Sequence, residues 1–129
     1  MTEIALTSDQ NNYRAVQRKL HIFTQAMDAA SSELSVVVRR MYQHAKTVSA
    51  TADQLGDADG DEKYVDLTNL VAQALTEAAV ATARTRNAAM EAAEASKAAR
   101  ESHRNKYAAL DDVRTTRTTK TPKPGFWAY

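Results

Sequence analysis

Residues 56–64 read GDADGDEKY, and this stretch decides how the chain folds. It contains two of the three glycines in a protein of 129 residues, and the two prolines lie far from it, at positions 122 and 124. Glycine and proline are the usual residues of turns, so a chain with so few of them has few turns. The sequence therefore predicts two long elements joined by one turn near the middle of the chain.

The segment before the turn places apolar residues at alternating steps of three and four. Eleven of the thirteen positions on this seam are apolar; the full set is Tyr13, Val16, Leu20, Phe23, Met27, Ala30, Leu34, Val37, Met41, His44, Val48, Thr51 and Leu55. Such a repeat, kept over six heptads, indicates a helix with one buried seam. Thr7 or Ser8 is placed to cap its start, and Gly56 to follow its end. We predict helix one at about residues 8–55, after an N-terminal arm of residues 1–7.

The segment after the turn runs from residue 62 to residue 113 without glycine or proline. Its seam is built mainly of alanine: Leu67, Val71, Ala74, Ala78, Ala81, Thr85, Ala88, Ala92, Ala95, Ala99, Ser102, Lys106, Ala109 and Val113. Alanine is the best helix former, but it buries little surface, so this helix needs a partner with large side chains. Helix one has leucine, methionine and phenylalanine. We therefore predict an all-α fold, a long antiparallel two-helix hairpin over residues 8–113.

The acidic residues of the turn allow two interpretations. Asp59, with Glu62 three residues later, has the spacing of a capping pair for helix two, and acidic side chains suit the positive end of a helix dipole. Asp57, Asp59 and Asp61 instead repeat the Asp-x-Asp-x-Asp spacing that opens an EF-hand calcium loop. That loop requires glycine at its sixth position and glutamate at its twelfth, where this chain has Glu62 and Thr68. Helix capping is the preferred interpretation, and a calcium site is the second.

Each helix also carries apolar residues outside its seam. They are Ala15, Ile22, Ala29, Val36 and Ala50 on helix one, and Leu70, Leu75 and Met90 on helix two. A single hairpin would leave these side chains in water, whereas pairing with a second hairpin would bury them. We therefore expect a four-helix bundle, formed as a homodimer or as a heterodimer with another helical hairpin. Apolar residues scattered over a surface are the alternative explanation.

Composition and motifs exclude several classes of function. The 43% hydrophobic and 26% charged residues indicate a folded domain, and the absence of cysteine excludes disulfides and thiolate metal sites. The sequence shows no signal peptide and no run long enough for a membrane span. His21, His44 and His103 fall far apart in a hairpin, and no catalytic motif occurs, so we predict neither an enzyme nor a cofactor. Basic residues on the helices are mixed with acidic ones, which does not favour nucleic acid binding.

A tyrosine and an aspartate near the end of helix two carry a resemblance to a known family. Residues 106–113 read KYAALDDV, in which Tyr107 and Asp111 form a Tyr-x-x-x-Asp pattern. A helix, a short turn, a second helix with this motif and a polar tail together resemble the WXG-type helical-hairpin proteins, small bacterial substrates of type VII (ESX) secretion. In that family the motif is an export signal. The Trp-x-Gly of the family's turn is absent here, since residues 54–56 read QLG.

The C-terminal tail, residues 114–129, is a second candidate recognition element. It carries four cations and no acidic residue, and its last four positions include Phe126, Trp127 and Tyr129. The prolines at 122 and 124 favour an extended chain, so these aromatic side chains are placed to bind pockets of a partner protein. Packing of the aromatic side chains back onto the hairpin is the alternative.

Two functions follow from these features. The resemblance implies a divergent type VII secretion substrate or an associated partner, made in the cytoplasm and exported as a folded dimer without a cleaved signal peptide. The alternative is an intracellular coiled-coil adaptor or assembly protein, such as a phage, plasmid-transfer or cytoskeletal accessory, which docks its partner through the aromatic tail. Both are non-enzymatic, and export of the protein distinguishes them.

Overall fold

The computed structural model describes residues 12–116 and shows two long α helices. Helix α1 spans Tyr13–Asp57 and helix α2 spans Glu62–Thr116, with 45 and 55 residues. No strand occurs among residues 12–116. The helices pack against each other, and the short turn between them makes them antiparallel, so the predicted all-α helical hairpin is confirmed. Within the same residues, neither helix is apolar enough over a sufficient length to cross a membrane.

Contacts divide the chain into two compact units, and both helices contribute to each unit. The turn unit is Thr24–Glu94, and among the described residues the terminal unit joins residues 12–23 with residues 95–116. In the terminal unit, the Ser96 hydroxyl is buried and donates a hydrogen bond to the Leu20 carbonyl oxygen at 2.9 Å. This bond joins α2 to the backbone of α1.

Helix α1 begins after Asn12, which caps it. The Asn12 side-chain oxygen accepts a hydrogen bond from the Ala15 N–H at 2.8 Å, and the Asn12 carbonyl oxygen accepts one from the Val16 N–H at 3.0 Å. These bonds satisfy donors that the first turn of a helix leaves without partners. The helix that the structure describes is thus capped by Asn12, and the predicted caps Thr7 and Ser8 lie outside the described residues.

Helix α1 ends in a tight turn around Asp59. The Gly60 N–H donates to the Leu55 carbonyl oxygen at 2.8 Å, and the Asp59 N–H donates to the Gly56 carbonyl oxygen at 3.2 Å. This pair of bonds is the Schellman motif, which places one residue in the left-handed conformation. That residue is Asp59, with φ of 55°, and not the predicted Gly56, which remains within the helix. Aspartate tolerates this conformation better than most residues that carry a Cβ.

Helix α2 begins with Asp61 as its cap. The Asp61 Oδ1 accepts a hydrogen bond from the Lys63 N–H at 3.0 Å, and the Asp61 carbonyl oxygen accepts one from the Tyr64 N–H at 2.9 Å. Glu62 follows in the first turn, where its charge interacts favourably with the helix dipole. The helix starts at the predicted residue 62, but Asp61 replaces the predicted capping pair, because Asp59 belongs to the end of α1.

The core of the turn unit consists of small side chains. Its buried residues include Thr24, Val38, Ala45, Ala52, Ala72, Ala79 and Ala93. Larger side chains beside this line, such as Leu34, Met41 and Leu75, are only partly covered. The Thr82 hydroxyl lies 3.5 Å from the Met41 sulfur across the two helices. Small residues on both sides of the contact allow the helix axes to approach closely.

One of the two heptad lines predicted for α1 is partly covered along its length, and the other is exposed at most of its positions. The line through Leu34 and Met41 is partly buried, as expected. The second line is exposed at Val37, His44 and Thr51. The buried residues are the ones that follow each of these, Val38, Ala45 and Ala52. Both predicted lines carry apolar residues, so the spacing of apolar residues alone does not show which line is buried. Close packing on the alanines of α2 selects the line with the smaller side chains.

The seam predicted for α2 is wrong as the contact with α1. Most of its members are exposed, including Leu67, Val71, Ala74, Ala81, Thr85 and Ala88. The positions covered in the turn unit follow a different line, with Val65, Thr68, Ala72, Leu75, Ala79, Thr82, Arg86, Ala89 and Ala93. Alanine occurs on every side of α2, so the pattern of apolar and polar residues does not identify the side that contacts α1.

The turn geometry predicts opposite effects for two glycines. Gly60→Ala places a Cβ 2.6 Å from the Leu55 carbonyl oxygen, so we expect the bond between them to break and the free energy of unfolding to fall by about 1 kcal/mol or more. At Gly56 a Cβ meets nothing within 4 Å, and Gly56→Ala should raise the free energy of unfolding by about 0.5–1 kcal/mol. Chemical denaturation followed by circular dichroism measures both. Effects of the same sign would contradict this turn.

Candidate functional site

The tyrosine of the predicted export motif belongs to a group of aromatic rings in the terminal unit. The rings of His103 and Tyr107 have centroids 5.1 Å apart at an interplanar angle of 48°. His103 also stacks on Tyr13 of α1, with centroids 5.2 Å apart and an interplanar angle of 12°. The three rings therefore join the last turns of α2 to the first turn of α1. Tyr107 itself remains 47% exposed, so a partner can reach it.

Hydrogen bonds fix His103 in this arrangement. The Gln17 amide nitrogen donates to Nδ1 of His103 and to the Arg100 carbonyl oxygen, both at 2.9 Å. Arg100 donates to the Gln17 amide oxygen at 3.2 Å and to Nδ1 of His21 at 3.1 Å. Amide nitrogen and guanidinium groups only donate, so Nδ1 of each histidine accepts. Sequence reasoning missed Gln17 and Arg100, because polar residues on a helix surface give no periodic signal.

The aspartate of the predicted export motif is turned towards α1. Its Oδ2 lies 3.4 Å from Nε of Arg14, and the side chain of Asp111 is 17% exposed, whereas that of Arg14 is 72% exposed. A surface groove of about 490 Å³ is lined by Asn12, Tyr13, Val16, His103, Tyr107, Leu110, Asp111 and Arg114. The structure thus brings Tyr107 and Asp111 to one groove, where Tyr107 is open and Asp111 is engaged in an ion pair.

The cluster predicts that its histidine stabilises the terminal unit more than its exposed tyrosine does. We expect His103→Ala to lower the free energy of unfolding by about 1–2 kcal/mol, because it removes both the ring stacked on Tyr13 and the acceptor for Gln17. Tyr107→Ala should have a smaller effect, because it removes only one tilted ring contact. Chemical denaturation measures both variants, and His103→Phe separates stacking from hydrogen bonding. A larger loss for Tyr107→Ala would contradict this arrangement.

The carboxylates that matched a calcium loop do not converge. Asp57 ends α1, Asp59 takes the left-handed position and Asp61 caps α2 through its Oδ1. In the part of the chain that the structure describes, no group of three or more His, Cys, Asp or Glu side chains could hold a metal ion. The structure therefore favours helix termination and capping as the role of these acidic residues.

The aromatic tail lies outside the described residues. Phe126, Trp127 and Tyr129 all follow Thr116, the last residue that the structure describes. The first residues of the predicted tail, 114–116, continue α2 beyond its predicted end at residue 113. Partner binding through the aromatic tip stays a prediction.

Helix α2 exposes a row of uncharged residues in the turn unit. The uncharged stripe, as we name it, consists of Tyr64, Leu67, Val71, Ala74, Ala78, Ala81, Thr85, Ala88 and Ala92. Its first three residues are 62%, 48% and 52% exposed, and of the others only Ala78 and Ala92 are partly covered. The steps of three and four are those of a heptad seam. Nearly the whole stripe was predicted as the contact with α1, and the structure leaves most of it exposed.

The two sides of the hairpin differ in polarity within the turn unit. One groove between the helices is lined by Tyr42, Ala45, Lys46, Ser49, Asn69, Ala72, Gln73 and Thr76. The helical repeat of about 3.6 residues places the uncharged stripe on the side of α2 that faces away from this groove. It likewise places Val37, His44 and Thr51 on the side of α1 that faces away from the groove. Both sets therefore border the opposite groove. The first groove includes the charged side chain of Lys46, whereas the other carries no acidic, lysine or arginine side chain on these lines.

The second apolar faces predicted for the two helices are only partly exposed. Exposed members are Ile22, Ala29, Val36, Ala50, Leu70 and Met90, whereas Ala15 is buried and Leu75 is partly covered. The exposed members on α2 do not form a continuous repeat. The uncharged stripe does, and it is the stronger candidate for an interface.

Comparison with known proteins gives no match. No family model, no curated protein and no solved structure matches this chain. The function is therefore inferred from the residues of the chain itself, chiefly the uncharged stripe of the turn unit and the aromatic cluster of the terminal unit.

Proposed function

We propose that this chain is a non-enzymatic helical-hairpin protein whose function is to bind another protein through the uncharged stripe. The observation that carries the proposal is the exposure of Tyr64, Leu67 and Val71 on a seam without a charged residue from position 64 to position 92. Helices in water normally present such a seam to a partner and their charged residues to solvent.

The small core of the hairpin supports this proposal. Val38 has the largest side chain among the buried residues that the structure describes, and most of the others are alanines. Full burial of a leucine or valine side chain contributes about 1.5–3 kcal/mol, and alanine contributes much less. A second hairpin on the stripe would cover Leu67 and Val71 and add the apolar burial that the contact between α1 and α2 lacks. The expected working form is a four-helix bundle.

Substitution of two stripe residues should weaken association without unfolding the hairpin. We expect Leu67→Gln combined with Val71→Gln to raise the dissociation constant at least tenfold, since about 1.4 kcal/mol of lost apolar burial has that effect. Helix content should stay the same, because both side chains are exposed in the hairpin. Light scattering over a concentration series measures the association, and circular dichroism measures the helix content.

Val80→Gln is the matched control for the substitution at Val71. Val80 is 40% exposed on the same helix but lies outside the stripe, so this variant should associate like the wild type. Equal association of the double stripe variant and the wild type would contradict the proposed function.

A second, more specific function rests on Tyr107. In the WXG-type proteins that the chain resembles, a tyrosine at this place belongs to an export signal. The exposure of Tyr107 in the groove of the terminal unit, beside Leu110, which is 58% exposed, supports the assignment. Under this proposal the hairpin is made in the cytoplasm, associates there through the uncharged stripe, and is exported with Tyr107 accessible to the secretion machinery.

Export gives a direct test of this second function. Tyr107→Ala should abolish appearance of the protein in the culture medium while leaving the helix content unchanged, because the ring is half exposed. Tyr42→Ala removes a similarly exposed tyrosine, 44% exposed, from the turn unit and should be exported normally. Normal export of Tyr107→Ala would reject the secretion function. Absence of export for the wild type would do the same and would favour a cytoplasmic adaptor built on the same stripe.

A further inference from the structure

We infer that the occupant of the uncharged stripe is a second copy of this chain, bound with α2 antiparallel to α2 and with a two-fold axis between Ala78 and Ala81. The inference rests on the proposed function, because it names the partner of the same stripe. Its basis is the distribution of side-chain size along the stripe and of charge beside it.

Side-chain size along the stripe is complementary to that of a reversed copy. The large residues Tyr64, Leu67 and Val71 come first, and only alanine and one threonine follow. An axis between Ala78 and Ala81 pairs Leu67 with Ala92, Val71 with Ala88, Ala74 with Thr85, and Ala78 with Ala81 of the other copy. Leu67 and Val71 then each meet an alanine, so the distance between the two helix axes stays even along this part of the contact.

A parallel copy does not give this fit. It places Leu67 against Leu67 and Val71 against Val71 in one half of the contact, and alanine against alanine in the other half. The helices would then be held apart where the large residues meet and would leave gaps between the alanines. The antiparallel arrangement buries the same patch on both copies, as a closed two-fold dimer requires.

Charges beside the stripe favour the same register. Glu77 and Arg84 lie one heptad apart on the line of α2 that borders the stripe on its solvent side, and both residues are exposed. In the antiparallel register, Glu77 of each copy lies across from Arg84 of the other copy, so the two-fold axis generates two ion pairs. Exposed ion pairs add little stability, but at flanking heptad positions they specify partner and orientation.

Charge reversal tests this register. Glu77→Arg and Arg84→Glu each turn both ion pairs into like-charge contacts, and we expect each to raise the dimer dissociation constant about tenfold at low salt. The double variant Glu77→Arg/Arg84→Glu restores both pairs with reversed sign and should return to within about threefold of the wild type. Glu91→Arg is the control, because Glu91 lies across from the uncharged Leu70 in this register. A double variant that associates as weakly as the single variants would overturn the register.

Single cysteines test the direction of pairing, since the natural chain has no cysteine. Chains carrying Val71→Cys are mixed with tagged chains carrying Ala88→Cys and then oxidised. The mixed disulfide should dominate, because only the antiparallel register brings these two positions within reach of a disulfide. Val80→Cys, outside the stripe, is the control and should not crosslink. Disulfides that join position 71 to position 71 and position 88 to position 88, in place of the mixed product, would overturn the antiparallel arrangement.

Sedimentation equilibrium measures the oligomeric state, and it distinguishes an error in the proposed self-pairing from an error in the proposed binding through the stripe. A wild-type chain that stays monomeric alone but forms a complex with another helical hairpin, sensitive to Leu67→Gln with Val71→Gln, would overturn self-pairing and leave the function of the stripe intact. A self-dimer whose dissociation constant does not respond to that double substitution would overturn both.

Discussion

Contact between small side chains holds α1 and α2 together in the turn unit, and the exposure of the larger apolar side chains depends on this contact. Ala45 and Ala52 of α1 and Ala72 and Ala79 of α2 are buried, and no leucine, methionine or aromatic residue is buried among residues 12–116. Small residues let two helix backbones come close and gain dispersion contacts, but they remove little apolar surface from water. A hairpin of this kind is well defined in geometry and poor in hydrophobic burial.

Large apolar side chains are consequently displaced to the surface. On α2 the alanines Ala72, Ala79 and Ala93 are covered, while Leu67 and Val71 are about half exposed on another side of the same helix. A helix that is apolar on more than one side is typical of the interior of a helical assembly, whereas a helix at the edge keeps one charged side. The composition of α2 therefore supports the proposal that a further helix packs on the side that α1 leaves exposed.

The fold could be predicted from the sequence because the turn has a strong local signal. Gly56 and Gly60 stand alone between two segments without glycine or proline, and such a signal depends little on tertiary contacts. The choice of buried face could not be predicted in the same way. His44 and Ala45 both follow Met41 at helical spacing, and only close approach to the alanines of α2 decides that Ala45 is covered while His44 stays in water. For α2, the heptad pattern marks a line of residues that α1 leaves mostly exposed.

The terminal unit is stabilised in a different way, and this difference bears on the candidate export motif. Its contacts are directional: the Ser96 hydroxyl bonds to the Leu20 carbonyl oxygen, Gln17 bonds to His103, and His103 stacks on Tyr13. Such contacts depend on the geometry of individual groups, whereas packing of alanines depends on the spacing of two backbones. Tyr107 stands at the edge of the ordered rings with half its surface open. The two proposals, association through the uncharged stripe and export through Tyr107, therefore rest on different units and on different kinds of contact, and separate substitutions test them.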